Sequence, residues 1–260
     1  MIGARAARRE DVANWLPILT FHAVDDTPSV IAFPPALFRS ALEELQKAGF
    51  RTLGLLDAAE RVAKREGFPA RSVVLTFDDG YRSVYETVLP ALHEHGMTAT
   101  VFVSAGTGRG DRFPSLCHRE MLSWPEVREL HAAGLEIGAH TLAHPDLTRL
   151  PADRVRQEIL ESKARLEEAI GAPVSSFAYP FGRFDDRSVS LVREHFRCAC
   201  SDFLSVATHR SDPYLLPRVD AYYLRSPFLF AAVGARWFPW AVRLRNVPRQ
   251  LRRRMGLWPT

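Results

Sequence analysis

Ser72-Val-Val-Leu-Thr-Phe77 runs straight into Asp78-Asp79-Gly80. A near-continuous apolar run of this length reads as a strand covered on both faces, the kind a parallel sheet carries. The two acids then fall at the C-terminal end of that strand, where α/β folds place their active sites. Adjacent carboxylates repel, so keeping both ionised needs a cation or a proton between them. Gly80 permits a sharp turn at this point. The same tripeptide also suits a plain turn that caps the next helix, and by itself it leaves both readings open.

Outward from this stretch the chain alternates. Strand candidates fall at 17–21, 72–77, 98–104, 135–139, 176–179 and 197–201. Between them, Leu37, Ala41, Leu45 and Ala48 recur at helical spacing, with Gly49 as a stop. Asp57 is placed to cap a helix that ends before Gly67, and 82–95 reads as a helix ending before Gly96. Ser123-Trp-Pro-Glu126 is a capping box with Pro125 at the first helical position, opening a helix that ends at Gly134. Val155, Ile159, Leu166 and Ile170 form the stripe of a long helix that stops at Gly171. Repeated strand–helix alternation implies a parallel sheet with right-handed crossovers. The pattern alone leaves open whether that sheet is flat or closed into a barrel. A chain of 260 residues accommodates such a fold as a single domain.

Two further motifs follow strand candidates. His140-Thr-Leu-Ala-His144-Pro145 carries two imidazoles four residues apart, which converge on one ion if the segment is a helical turn or a tight loop. Taken alone they are also consistent with two surface histidines. With Asp79 they make a three-ligand set that leaves positions open for water, the layout of a catalytic metal. In Phe177-Ala-Tyr-Pro-Phe-Gly182, Pro180 and Gly182 make a turn whose N–H groups, that of Phe181 included, could point into a site mouth.

Thr76-Phe-Asp-Asp-Gly80, His140-Thr-Leu-Ala-His-Pro145 and Ala178-Tyr-Pro-Phe-Gly182, in this order, resemble the motifs of the polysaccharide deacetylase family, also called the NodB-homology or carbohydrate esterase family 4 domain. The resemblance covers about residues 15–220 and is nearest the poly-N-acetylglucosamine deacetylase-like members. It implies a distorted (β/α)7 barrel, and a zinc ion, with cobalt or nickel as alternatives, held by Asp79, His140 and His144. By position it implies Asp78 as general base and the Phe181 N–H as oxyanion donor. The family often has an Arg, bracing the catalytic Asp, where this chain has Ala178. The late Leu-x-His motif that supplies a general acid is absent too. Thr20-Phe21-His22 fits the N-terminal strand end that carries the acid in the Phe-Ala-Tyr-Pro subgroup, so His22 is the candidate acid, ahead of His209. Arg218, in Leu-Pro-Arg-Val-Asp220, is the candidate replacement for the bracing Arg. It is grouped with Tyr179, Pro180 and Phe181 on the substrate side.

The implied activity is hydrolysis of N-acetyl groups on amino sugars of a polysaccharide, oligosaccharide or lipid-linked glycan. O-acetyl esterase, deformylase and non-catalytic carbohydrate-binding readings stand as alternatives. An Asp-based phosphatase fits poorly, since two imidazoles favour a softer ion than magnesium.

Composition sets the remaining expectations. The net charge is +4, yet residues 221–260 hold eight Arg and no Asp, Glu or Lys, so residues 1–220 sum to +4 − 8 = −4. The segment 1–14 is read as an extension, 15–225 as the deacetylase domain and 226–260 as a basic aromatic tail. In that tail Phe228, Phe230, Trp237, Phe238 and Trp240 precede the arginines between 249 and 254. Aromatics beside arginines suit an anionic membrane interface, and packing on the barrel is the plainer alternative. No nucleic-acid partner is expected, because the basic charge is confined to one end without a binding motif. Three cysteines in no framework pattern argue against a disulfide-rich secreted fold, and Cys198 and Cys200 fall on one face of a strand as two small buried side chains. No secretory signal is read at the N-terminus, so the expected location is cytoplasmic, peripheral to the inner membrane face if the tail binds lipid.

Overall fold

The structure, a computed structural model, describes residues 12–106, 119–226, 229–230 and 232–254, with side chains described only as far as residue 246. Residues 1–11 of the extension, Cys117, Phe228 and the side chains of the arginines between 249 and 254 therefore lie outside the described residues.

Seven parallel strands close a barrel: β1 Ile18–Phe21, β2 Ser72–Phe77, β3 Thr100–Val103, β4 Glu136–Ala139, β5 Ser176–Ala178, β6 Cys198–Leu204 and β7 Leu216–Asp220. Each pairs with its sequence neighbour, and β7 and β2 both pair with β1, which completes the ring. The helices are α1 Pro35–Lys47, α2 Leu55–Lys64, α3 Leu89–His95, α4 Trp124–Ala132, α5 Ala152–Ile170, α6 Asp186–His195 and α7 Phe238–Arg254. The distorted (β/α)7 barrel that the motifs imply is the observed fold.

Strand alternation sorts the side chains into two cores. Ile18, Val74, Phe102, Ala178, Cys200 and Leu216, from six strands, touch one another in the lumen. Leu19, Leu75, Val101, Ile137, Phe177 and Val219 face outward to the helices. Helix α2 seals the N-terminal end of the lumen with Leu55, Ala58, Ala59 and Val62. Cys198 and Cys200 share the inward face and are buried free thiols, as their spacing implies.

Several local expectations shift. Gly54, not Asp57, is the N-cap of α2, and Asp57 sits in its first turn. The helix expected from 82 opens as a π-helical segment, Val84–Val88, in which the Leu89 N–H donates to the Val84 carbonyl. Pro90 follows at once and has no N–H to offer the normal ladder. Pro125 is the second residue of α4, and Ser123 donates its N–H to Glu126 Oε2 at 2.8 Å. Strand β7 has no counterpart among the sequence candidates, since Pro217 argues against a central strand. It is tolerated because β6 and β7 slip register there: Cys200 pairs with Leu216 but Leu204 with Arg218.

The lumen is tight at Gly138. A Cβ there would lie 2.5 Å from Phe102 Cδ1 and 2.8 Å from Ser176 Oγ. Gly138→Ala should therefore lower stability by about 1–3 kcal/mol through overpacking. Urea unfolding should show a lower midpoint with an unchanged slope.

Candidate active site

The three motifs meet at the C-terminal mouth of the barrel, because each sits just past its strand. The Asp78 N–H donates to the Phe21 carbonyl at 2.9 Å and the His140 N–H to the Val103 carbonyl at 3.1 Å, continuing the β1–β2 and β3–β4 ladders by one residue. Asp78, Asp79, His140 and His144 are all buried.

The two acids face different partners, Asp78 an arginine and Asp79 two imidazoles. Arg218 reaches from β7 and grips Asp78 through two bonds of 2.7 Å, Nη1 to Oδ1 and Nη2 to Oδ2. Its Nε donates to the Ser201 carbonyl at 3.0 Å, and Nη1 also reaches Thr76 Oγ1 at 3.3 Å. The guanidinium lies 5.8 Å from the centroid of the Phe102 ring. Burial works to raise the Asp78 pKa, but Arg218, with His140 and His22, holds it below the usual carboxylate range. Asp79 turns the other way, with Oδ1 3.4 Å from His140 Nε2 and 3.3 Å from His144 Nε2. Burial opposes its charge as well, yet the histidines depress its pKa strongly.

The histidines differ. His140 Nδ1 bonds to the Ala178 carbonyl at 2.8 Å, which makes Nδ1 the donor and leaves Nε2 a lone pair toward Asp79. Burial lowers its pKa, but Asp79 and Asp78 outweigh that and raise it. His144 is pushed down to about 4, chiefly by burial, and is neutral near pH 7.

Asp79, His140 and His144 offer one donor atom each, all within 4.8 Å of one another. Ligands about 2.0–2.1 Å from a tetrahedral ion sit ~3.3 Å apart, which matches the two carboxylate–imidazole separations. One carboxylate and two imidazoles thus fit a divalent metal ion, and three ligands leave a coordination position open.

The loops that carry these groups are strained. Asp79, Thr141, His144 and Phe181 have φ of 74°, 65°, 53° and 56°, a left-handed conformation that costs a non-glycine residue about 1–2 kcal/mol. Cross-bracing holds them. Glu158 on α5, buried, accepts from the Leu142 and Ala143 N–H groups at 2.9 Å each. Arg183 joins Asp146 at 2.6 Å, tying the third motif to the histidine loop. Gly182, at φ 60°, lies so close to Asp202 that a Cβ would come within 2.1 Å of its carboxyl carbon.

The remaining candidates separate by position. His22 follows β1 at the mouth, near Asp78, Asp79 and His144. His209 follows Ala207–Thr208, which pairs with Trp15–Leu16 ahead of β1, at the opposite end of the barrel. Phe181 is 51% exposed, its ring 4.6 Å from that of His144. Two expectations need correction. Tyr179 is buried on the outer face of β5 against Phe177 and Phe184, because it alternates with the inward Ala178, so its side chain cannot reach a substrate in the mouth. Arg218 is buried beneath Asp78 with its donors bonded to Asp78, Ser201 and Thr76, and so acts on the carboxylate rather than on substrate. Pro180 is likewise buried. Glu158 was missed, since a lone Glu on an amphipathic helix carries no sequence signal for a buried anchor.

The family model described as polysaccharide deacetylase matches residues 65–196, half of the chain. The chain belongs to that family. YxkH of Bacillus subtilis (strain 168), named for the same family, is 25% identical over 195 residues, 72% of this chain and 67% of that protein. The poly-beta-1,6-N-acetyl-D-glucosamine N-deacetylase of Staphylococcus aureus (strain MRSA252) is 25% identical over 166 residues, 60% of this chain. This chain spans 56% of that enzyme's length. Among solved structures, IcaB from Ammonifex degensii superposes with a TM-score of 0.73 at 25% identity, covering 86% of this chain and 99% of that one. The deacetylase barrel is thus matched over most of its length, while the residues after 196 that carry Arg218 lie beyond the family model.

Removing Arg218 leaves Asp78 buried and unpaired. Arg218→Leu should destabilise the fold by about 3–5 kcal/mol. Adding Asp78→Leu should recover much of that loss, measured by thermal unfolding of the single and double variants.

Proposed function

We propose that this chain hydrolyses N-acetyl groups from amino sugars of a polysaccharide, oligosaccharide or lipid-linked glycan, using a zinc ion held by Asp79, His140 and His144. The observation that carries this reading is the buried Asp-His-His donor set lying beside a second carboxylate that a buried arginine keeps ionised. A pure sugar-binding domain has no need for either feature. The nitrogen-rich donor set favours zinc over harder ions.

Asp79, His140 and His144 would hold the divalent ion, which would supply Lewis acidity toward a water and an acyl oxygen. Asp78 is the base: each of its oxygens accepts from Arg218 and keeps a lone pair for the proton of the attacking water. Arg218 fixes the plane of that carboxylate and keeps it anionic. The Phe181 backbone N–H, in a turn held by Gly182 N–H to the Tyr179 carbonyl at 2.8 Å, is assigned to the developing oxyanion. His22, at the same mouth, protonates the leaving amine, because an amide nitrogen leaves poorly as an anion. The exposed ring of Phe181 offers a face for a sugar ring.

His140→Ala and His144→Ala should each lose bound zinc and turnover together, while Asp78→Asn keeps the metal and loses on the order of 10²–10⁴ in kcat. Metal analysis beside acetate release tests this, and a full equivalent of zinc in either histidine variant would overturn the ligand set.

The acid role separates by leaving group. His22→Ala should slow amide hydrolysis strongly yet barely change hydrolysis of an acetyl ester with a phenolate leaving group. Equal loss on both substrates, or the selective loss appearing in His209→Ala instead, would remove His22 from the mechanism.

A further inference from the structure

Helix α7 has two faces of opposite character. Phe238, Val242 and Asn246 are buried against the barrel. Phe238 stacks on Trp15 with centroids 6.2 Å apart. On the outer side Trp237, Trp240 and Leu244 are 48%, 67% and 58% exposed. Positions 237, 240 and 244 follow the i, i+3, i+7 spacing that makes one stripe on a helix. A water-facing helix normally carries polar residues there, and here Trp237, in the turn just before α7, joins Trp240 and Leu244 of the helix.

The charge around the stripe is one-signed. Arg236, Arg243 and Arg245 are exposed beside it, and no acid occurs from residue 221 to 260. Other helices neutralise their basic residues locally: Lys47 pairs with Glu44, Lys64 with Glu60 and Lys163 with Glu167. Helix α7 carries no acid of its own for such pairs. Trp and Leu beside Arg without a neighbouring acid on the same segment form a surface with an apolar stripe and a cationic margin.

We infer that this face docks on an anionic lipid surface, the tryptophans and leucine entering the headgroup boundary while the arginines meet lipid phosphates. Charge complementarity selects this occupant. A second copy of the chain, paired through the same face about a two-fold axis, would set two arginine-only segments against each other. A nucleic acid would satisfy the arginines but offers no apolar phase for the stripe. No described helix is long and apolar enough to cross a membrane, so the contact is peripheral. Arg245 also donates to the Tyr223 carbonyl at 2.7 Å, just past the end of β7. The inference concerns binding alone and stands apart from the deacetylase reading.

The test is co-flotation of the full chain with vesicles of phosphatidylcholine alone, or of phosphatidylcholine with about one-third phosphatidylglycerol. Binding is expected only to the anionic vesicles, falling at least tenfold as salt rises from low to high ionic strength. Trp240→Ser and Leu244→Ser together should reduce binding at least tenfold. Circular dichroism and hydrolysis of a soluble substrate should be unchanged, since neither side chain touches the mouth. Equal binding to both vesicle types, or none to either, overturns the inference. So does a concentration-dependent dimer in sedimentation that the double variant abolishes, or binding to a DNA duplex that the double variant weakens while vesicle binding persists.

Discussion

Asp78 and Asp79 are adjacent, buried and both ionised, and the barrel mouth is arranged around keeping them so. The Arg218–Asp78 pair makes this possible. With Asp78 neutralised by a bidentate guanidinium, Asp79 is free to direct its charge at the two histidines. A buried ion pair is costly to desolvate, and it persists only when its remaining hydrogen bonds are met. Here Ser201 supplies a carbonyl and Thr76 a hydroxyl. The Ser201 carbonyl is available because β6 slips against β7 at this level, leaving backbone outside the ladder. Phe102 underlies the guanidinium, and it fits only because Gly138 has no side chain.

The loops above this pair are held by long-range contacts. Four residues with left-handed backbone cluster in the three motif turns, a combined cost of several kcal/mol that local sequence cannot offset. Glu158 from α5 satisfies two N–H groups of the histidine loop, and Arg183 ties the third motif to Asp146. Such bracing presents donor atoms in fixed positions before any ion or substrate arrives, which is what preorganised chemistry requires.

Much of this was legible in the chain itself. The apolar run ending in Asp78-Asp79-Gly80 is a six-residue strand with its acids at the mouth, and the glycine-terminated stripes at Ala48 and Ile170 end helices where expected. These readings hold because strand burial and helix termination are set by residues within a few positions of each other. The family, too, follows from three short motifs, since a donor set and its turns are written locally even when the donors converge only in space.

What only the tertiary structure decided lies between distant segments. Strand β7 is obscured by Pro217, and its place between β6 and β1 depends on barrel closure. Arg218 could be suspected from sequence, but its grip on Asp78 spans 140 positions, and no local pattern encodes a side chain's reach across a lumen. The same holds for the separation of His22 from His209, which strand direction puts at opposite ends of the barrel, and for Tyr179, whose burial follows from the alternation of one strand. Sequence determined which groups were present and which strand ends could bear them. Closure of the ring determined which of them meet, because a parallel barrel brings every strand's C-terminal end to a single mouth.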